Sequence, residues 1–153
     1  MKAKLALFTM IVLLAAACGD SSQSGDETLG DGPYPVATFD ITITYPDAND
    51  VDYTISCLGD TASVTGEVDV DGPAACTRLA DEDVRVRLVE GPPPDQICTE
   101  IYGGPDVAII VGSHDGDVVD TTVDRTNGCG IDDWDQLLKG ILPTALGLPE
   151  GSY

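Results

Sequence analysis

Basic side chains are scarce in this 153-residue chain, which carries 7 Lys and Arg residues against 27 Asp and Glu residues and has a net charge of −20. Proteins that bind nucleic acid neutralise phosphates with clustered Lys and Arg side chains, so this composition argues against a nucleic-acid partner. Solubility and repulsion between molecules explain the acidity without a binding role for the acidic surface.

Histidine is nearly absent, and no two cysteines form a Cys-x-x-Cys pair. Zinc sites need such ligands at short spacings, so we expect neither a metal nor a cofactor. The acidic stretches at residues 47–52 and 115–117 lack the closing glutamate of a calcium loop and are better explained as solvated turns. The one histidine, His114, lies between Ser113 and Asp115, and three consecutive residues cannot converge as a catalytic triad. We therefore expect His114 on the surface and no enzymatic activity.

The sequence also lacks an apolar segment long enough to span a bilayer. The apolar run at residues 5–14 follows a positively charged start and precedes small residues that end at Cys18, which resembles a bacterial lipoprotein signal. We expect residues 1–17 to be removed and Cys18 to be lipidated, which would anchor the protein to a membrane. An ordinary signal peptide cut after Ala17, leaving a free thiol, is the alternative. Either signal predicts export from the cytoplasm.

Four cysteines remain in the exported chain, namely Cys57, Cys76, Cys98 and Cys129. An oxidising compartment permits disulfides, but four cysteines allow three pairings and their spacing does not choose among these. Residues 18–35 are rich in Gly, Ser, Asp and Pro, so we expect a flexible tether there. The remaining residues, 36–153, suit a single domain.

Two strands are predicted at residues 37–45 and 51–57, where apolar and polar side chains alternate. The residues between them favour a turn, so the two strands should form a hairpin. The alternation places Cys57 on the core face of that hairpin. A shorter and less regular strand is expected near residues 63–70.

A second hairpin is predicted further along the chain. Residues 107–111 form the apolar run of a buried strand, and Val119, Thr121 and Val123 alternate along a returning strand. The residues between, 113–117, have the composition of a turn. This hairpin should end at Arg125.

Helices are predicted on either side of the second hairpin. Pro73 is well placed at a helix start, and residues 74–81 continue that helix. Residues 84–89 alternate like a strand, so local patterning leaves that segment ambiguous. Apolar residues within 131–142 recur at helical spacing and predict a last helix that packs Trp134 on the sheet.

A short polar-to-aromatic segment opens on a cysteine and reads Cys98-Thr99-Glu100-Ile101-Tyr102. If Cys98 is bridged to Cys129, this segment becomes a clamped, exposed loop that a protease could bind as substrate and could hardly release. Arg125 and Asn127 lie at the end of the returning strand. We expect both to support the loop by hydrogen bonds.

The order and spacing of the four cysteines occur together with three local motifs, which are Ala74-Ala75-Cys76, Cys98 followed by Tyr102 and Pro105, and Asn127-Gly128-Cys129. In these features residues 37–142 resemble the bacterial subtilisin inhibitor-like family. The resemblance implies an α+β fold in which an antiparallel sheet of five strands carries two helices on one face. It also implies the disulfides Cys57–Cys76 and Cys98–Cys129.

The resemblance further implies a serine protease inhibitor whose scissile bond is Glu100–Ile101. Glu100 is then the P1 residue and Ile101 the P1′ residue, while Cys98, Thr99 and Tyr102 occupy P3, P2 and P2′. The implied partner is an extracellular serine protease, either subtilisin-type or glutamate-preferring. The second class is favoured because a carboxylate is costly to desolvate in an apolar specificity pocket.

Two further expectations follow from the resemblance. The family forms dimers through its sheet, which implies a homodimer. The Gly103-Gly104 pair replaces a single acidic residue of the family and predicts a looser loop. The alternative function is a non-inhibitory interaction lipoprotein of the cell envelope that keeps the fold.

Overall fold

The computed structural model describes residues 32–46 and 48–146. The predicted signal peptide at residues 1–17, the lipidation site Cys18 and most of the tether at 18–35 lie outside the described residues. In the described ranges, no helix is both long and apolar enough to cross a membrane.

Five antiparallel strands form one sheet, as the sequence and the resemblance led us to expect. The strands are β1 Tyr34–Thr44, β2 Val51–Gly59, β3 Thr61–Gly66, β4 Val107–His114 and β5 Asp117–Asp124. Their order across the sheet is β3-β2-β1-β4-β5. Both predicted hairpins are confirmed, and β1 pairs with β4 so that the two hairpins lie side by side.

In the part of the chain that the structure describes, three helices accompany the sheet, one more than expected. They are α1 Gly72–Leu79, α2 Glu82–Glu90 and α3 Gly128–Asp132, and a single π-helical turn, Asp133–Leu137, continues α3. The start of α1 is confirmed, since the Asp71 carboxylate accepts a hydrogen bond from the Ala74 amide at 2.8 Å. The fold is therefore α+β.

The ambiguous segment at residues 84–89 is helical and lies within α2. The same residues also fit the spacing of a helix, because Val84 and Leu88 are four residues apart and both are buried on one face of α2. Acidic residues in the first turn also favour this helix. Tertiary packing decided between two patterns that the sequence left open.

The last predicted helix is shorter than expected. The Leu138 amide donates to the Asp133 carbonyl at 2.7 Å, which is the bond of a widened turn. Gly140 then adopts a φ of 88°, so the chain leaves the helix well before Pro143. Trp134 is nevertheless buried as predicted, and its indole Nε1 donates to the Pro143 carbonyl at 2.9 Å.

The core lies between one face of the sheet and the helices. Its largest buried side chains are Trp134, Phe39, Ile41, Ile43, Ile55, Leu79, Leu88, Ile110, Leu138 and Ile141. The disulfide Cys57–Cys76 lies inside this core and links β2 to α1. The second disulfide is Cys98–Cys129, and both bonds are compatible with an extracytoplasmic location.

The prediction that His114 is a surface residue is wrong. Strand β4 extends through His114, which points into the core, and the turn is confined to Asp115 and Gly116, with φ values of 49° and 91°. Such a two-residue turn with two positive φ angles matches the twist of the flanking strands. His114 Nε2 donates to the Leu79 carbonyl at 2.7 Å and so joins β4 to the end of α1.

Two buried tyrosines make stability sensitive to alkaline pH. Burial raises the pKa of Tyr53, and burial together with the Asp106 charge raises the pKa of Tyr45. A raised pKa in the folded state stabilises the fold below the unfolded-state pKa of about 10, and this contribution is lost as pH rises further. We expect the free energy of unfolding to fall above pH ~10, and to fall less steeply in Tyr53→Phe. Denaturant titrations at several pH values would measure how steeply the free energy of unfolding falls with pH in the wild type and in Tyr53→Phe. Equal slopes would contradict a contribution of Tyr53 to this pH dependence.

Candidate functional site

The candidate loop joins α2 to β4 and contains no regular secondary structure. Three prolines, Pro92 to Pro94, follow the end of α2 at Glu90 and prevent the helix from continuing, and the Gln96 amide donates to the Pro93 carbonyl at 3.1 Å to close a turn. Glu100, Ile101 and Tyr102 are exposed, and Ile101 and Tyr102 have 62% and 49% of their surface accessible. Two apolar side chains thus stand in solvent beside a carboxylate.

The first anchor of the loop lies on its amino-terminal side. The disulfide ties Cys98 to Cys129 at the start of α3, and the Thr99 carbonyl accepts a hydrogen bond from the Gly128 amide at 2.9 Å. The close approach needs glycine at position 128, because a Cβ there would lie 2.0 Å from the Thr99 hydroxyl oxygen. The covalent bond and the hydrogen bond fix consecutive residues of the loop.

Asn127 supports this anchor indirectly. Its side-chain oxygen accepts hydrogen bonds from the Cys129 and Gly130 amides, each at 3.0 Å, and so caps α3. The expected hydrogen bond from Asn127 to the loop itself is not among its contacts in residues 32–46 and 48–146. Asn127 instead fixes the helix start that carries Gly128 and Cys129.

The second anchor lies on the carboxyl-terminal side of the loop. The Gly103 amide donates to the Arg125 carbonyl at 2.8 Å, and Arg125 Nε donates to the Gly103 carbonyl at 3.2 Å. A Cβ at Gly103 would lie 2.6 Å from the Ile131 side chain, so glycine allows this close approach. Gly103, which the sequence indicated as a source of looseness, is held at both of its polar backbone atoms.

Both anchors belong to one short stretch of chain, residues 125–129, and they leave three exposed residues between them. Arg125 was expected at the loop, and it bonds to it directly. Gly103 and Gly128 were not expected as anchors, although the asparagine before Gly128 was a signal for a helix cap. Sequence reasoning also missed Ile97, which has 97% of its surface accessible directly before Cys98.

The loop carries acidic side chains and no basic ones. Residues 91–106 contain Asp95, Glu100 and Asp106 and no Lys, Arg or His. Elsewhere in the described ranges, every arginine forms an ion pair with a carboxylate, and these arginines are Arg78, Arg85, Arg87 and Arg125. These four arginines are therefore engaged within the fold, and none of the ion pairs among the described residues involves the exposed Glu100 carboxylate.

No protein-family model, curated protein or solved structure matches this chain. Across residues 32–46 and 48–146, no group of three or more His, Cys, Asp or Glu side chains is arranged to hold a metal ion. The candidate site is therefore an exposed peptide segment that is fixed at both ends.

Proposed function

We propose that this protein is an exported inhibitor of serine proteases that presents Glu100–Ile101 as a substrate-like bond. The observation that carries the proposal is the pair of anchors, which leave Glu100, Ile101 and Tyr102 exposed between Thr99 and Gly103. The protein itself is not an enzyme in this proposal. Its role is to occupy the cleft of a protease.

The anchors explain how cleavage would be prevented from going forward. A serine protease forms an acyl-enzyme at the P1 residue and proceeds only when the new amine departs. The acyl side would stay attached through Thr99 and the disulfide, and the amine of Ile101 would stay close because Gly103 is bonded to Arg125. Religation would then compete with hydrolysis. A preorganised loop also loses little conformational entropy on binding, which favours affinity.

The free carboxylate of Glu100 selects the protease. An apolar specificity pocket would desolvate this charge without compensation, whereas a pocket with basic groups or polar donors would pair with it. A glutamate-preferring serine protease is therefore the favoured target, and subtilisin-type enzymes with a broader pocket are the second class. Ile97, Ile101 and Tyr102 add apolar surface on either side of the P1 residue.

The proposed location is extracytoplasmic, with the chain anchored through a lipid on Cys18. This part rests on the amino-terminal sequence and on the two disulfides, which persist in oxidising compartments. A tether at residues 18–35 would let the loop reach a protease away from the membrane surface.

The test is inhibition of a panel of proteases by the mature chain carrying Cys18→Ser, which prevents lipidation. The panel contains a glutamate-specific serine protease, a subtilisin, trypsin and chymotrypsin, and mass spectrometry locates any cut. We expect tight, slowly reversed inhibition of the glutamate-specific enzyme, with any cut at Glu100–Ile101. Rapid cleavage, or no binding by any of the four enzymes, would contradict the proposal.

One observation favours the alternative of a non-inhibitory interaction protein. The sheet face opposite the core exposes Ile109, Val111 and Val118, and Val118 has 77% of its surface accessible. A second copy of the chain or an envelope partner could cover these residues, and the resemblance implies a homodimer. In this alternative Glu100 is replaceable without consequence, whereas inhibition depends on it.

A further inference from the structure

We propose that Asp135, in the π-helical turn, is a positioning residue that holds the loop in its bound conformation through Arg125. This inference rests on the proposed function, which gives the loop its role. Asp135 Oδ1 accepts a hydrogen bond from Arg125 Nη1 at 2.5 Å, while Arg125 Nε bonds to the Gly103 carbonyl. One guanidinium therefore connects the carboxylate to the loop.

The geometry of the guanidinium makes this connection specific. Its nitrogens are coplanar and rigidly spaced, so fixing Nη1 also fixes the direction in which Nε donates. Arg125 has only 8% of its surface accessible, and its Cζ lies 5.9 Å from the centre of the Trp134 ring. The Trp134 ring faces the guanidinium on one side, and Asp135 is the only carboxylate among the described residues that forms an ion pair with Arg125.

The π-helical turn brings both contacts to Arg125. Trp134 and Asp135 are consecutive, and the widened turn buries the indole while it leaves the carboxylate 39% exposed. Because Asp135 lies at the surface, replacing it opens no cavity in the core. Without Asp135, Arg125 would retain a largely buried charge that pairs only with backbone oxygen and the ring face, and its side chain would gain by turning to solvent. The Nε bond to Gly103 would then be lost.

The same turn contains a matched control. Asp133 Oδ2 accepts a hydrogen bond from Arg87 Nε at 2.6 Å, and Arg87 also donates to the Thr121 hydroxyl and the Thr122 carbonyl. This second arginine and aspartate pair is more buried than the first, yet its hydrogen bonds go to β5 and none reaches the loop. Asp133→Asn should therefore lower stability and leave the loop in place.

The experiment compares Asp135→Asn, Asp135→Glu and Asp133→Asn in the mature chain. Amide hydrogen exchange of Gly103 reports the second anchor without any protease, and exchange of Gly128 reports the first. Digestion by a glutamate-specific protease gives the rate of cleavage at Glu100–Ile101. Losing a charge-assisted bond should speed both Gly103 exchange and loop cleavage by about tenfold in Asp135→Asn. Gly128 exchange should stay unchanged, and Asp135→Glu should restore most of the wild-type rates.

Unchanged Gly103 exchange in Asp135→Asn, or an equal acceleration in Asp133→Asn, would overturn the assignment. An Arg125→Met background provides a second check, because there Asp135→Asn should add no further acceleration; an additive effect would also overturn it. Failure of the proposed function is a separate result. It would appear as a wild-type chain that inhibits no protease, while the exchange rates of Gly103 still decide the role of Asp135.

Discussion

Replacing Glu100 with lysine should transfer the proposed inhibition from a glutamate-specific protease to trypsin. In the proposed complex the side chain of residue 100 enters the specificity pocket as P1, where a lysine would meet basic groups in the first enzyme and a carboxylate in the second. Like charges in a desolvated pocket cost several kcal/mol, so inhibition of the glutamate-specific enzyme should weaken by about 1,000-fold. Inhibition constants of Glu100→Lys and of the wild type against both enzymes would measure this change of specificity.

The control for this prediction carries the same change of charge elsewhere. Asp60 is exposed in the turn between β2 and β3, where Gly59 pairs with Tyr34 at the start of β1. The loop instead precedes Val107, which pairs with Thr44 at the far end of β1. Asp60→Lys should leave both inhibition constants nearly unchanged, because the charge lies beyond the contact area. If both lysine variants weakened inhibition equally, net charge and not the P1 residue would govern recognition.

The sheet was predictable because its signals are local. Alternating side chains in β1 and β2 give each strand a buried face without knowledge of its neighbours. Where two periods coincide, the sequence did not choose: residues 84–89 fit a strand as well as the helix α2, which packs Val84 and Leu88 into the core. His114 was misplaced because the length of β4 depends on its pairing with β1 and β5, and a turn composition does not reveal where pairing stops.

The site was predictable in part for a related reason. The residues of the loop and the cysteine that could clamp it were visible in the sequence, because cysteines, prolines and an exposed polar stretch are local signals. Only one residue of the second anchor was predicted from the sequence. Arg125 was expected to support the loop, but its bond to Gly103 spans 22 positions and its bond to Asp135 depends on the widened turn that follows α3. Contacts of this kind are fixed by packing and have no sequence pattern of their own.

Removing the disulfide Cys98–Cys129 should convert the proposed inhibitor into a substrate. The double replacement Cys98→Ala with Cys129→Ala leaves the core and the Cys57–Cys76 bond intact, so the domain should remain folded. The loop would keep its hydrogen bonds at Thr99 and Gly103 but lose the covalent link on the acyl side. Religation would then compete poorly with hydrolysis, and cleavage at Glu100–Ile101 should accelerate by about 100-fold or more, a loss comparable to the ~3 kcal/mol that such a bond contributes.

The two disulfides of this protein allow its stability and the proposed inhibition to be separated by experiment. Cys57→Ala with Cys76→Ala removes a bond buried in the core, and closing its 19-residue separation should likewise contribute about 3 kcal/mol to stability. This variant should melt at a lower temperature, yet its loop should resist cleavage like the wild type wherever circular dichroism shows it folded, because both loop anchors remain. Time courses of cleavage at one temperature, set beside melting curves for both double variants, give the comparison. If cleavage followed melting temperature in both variants, the Cys98–Cys129 bond would act through global stability, and the clamp would not be the basis of inhibition.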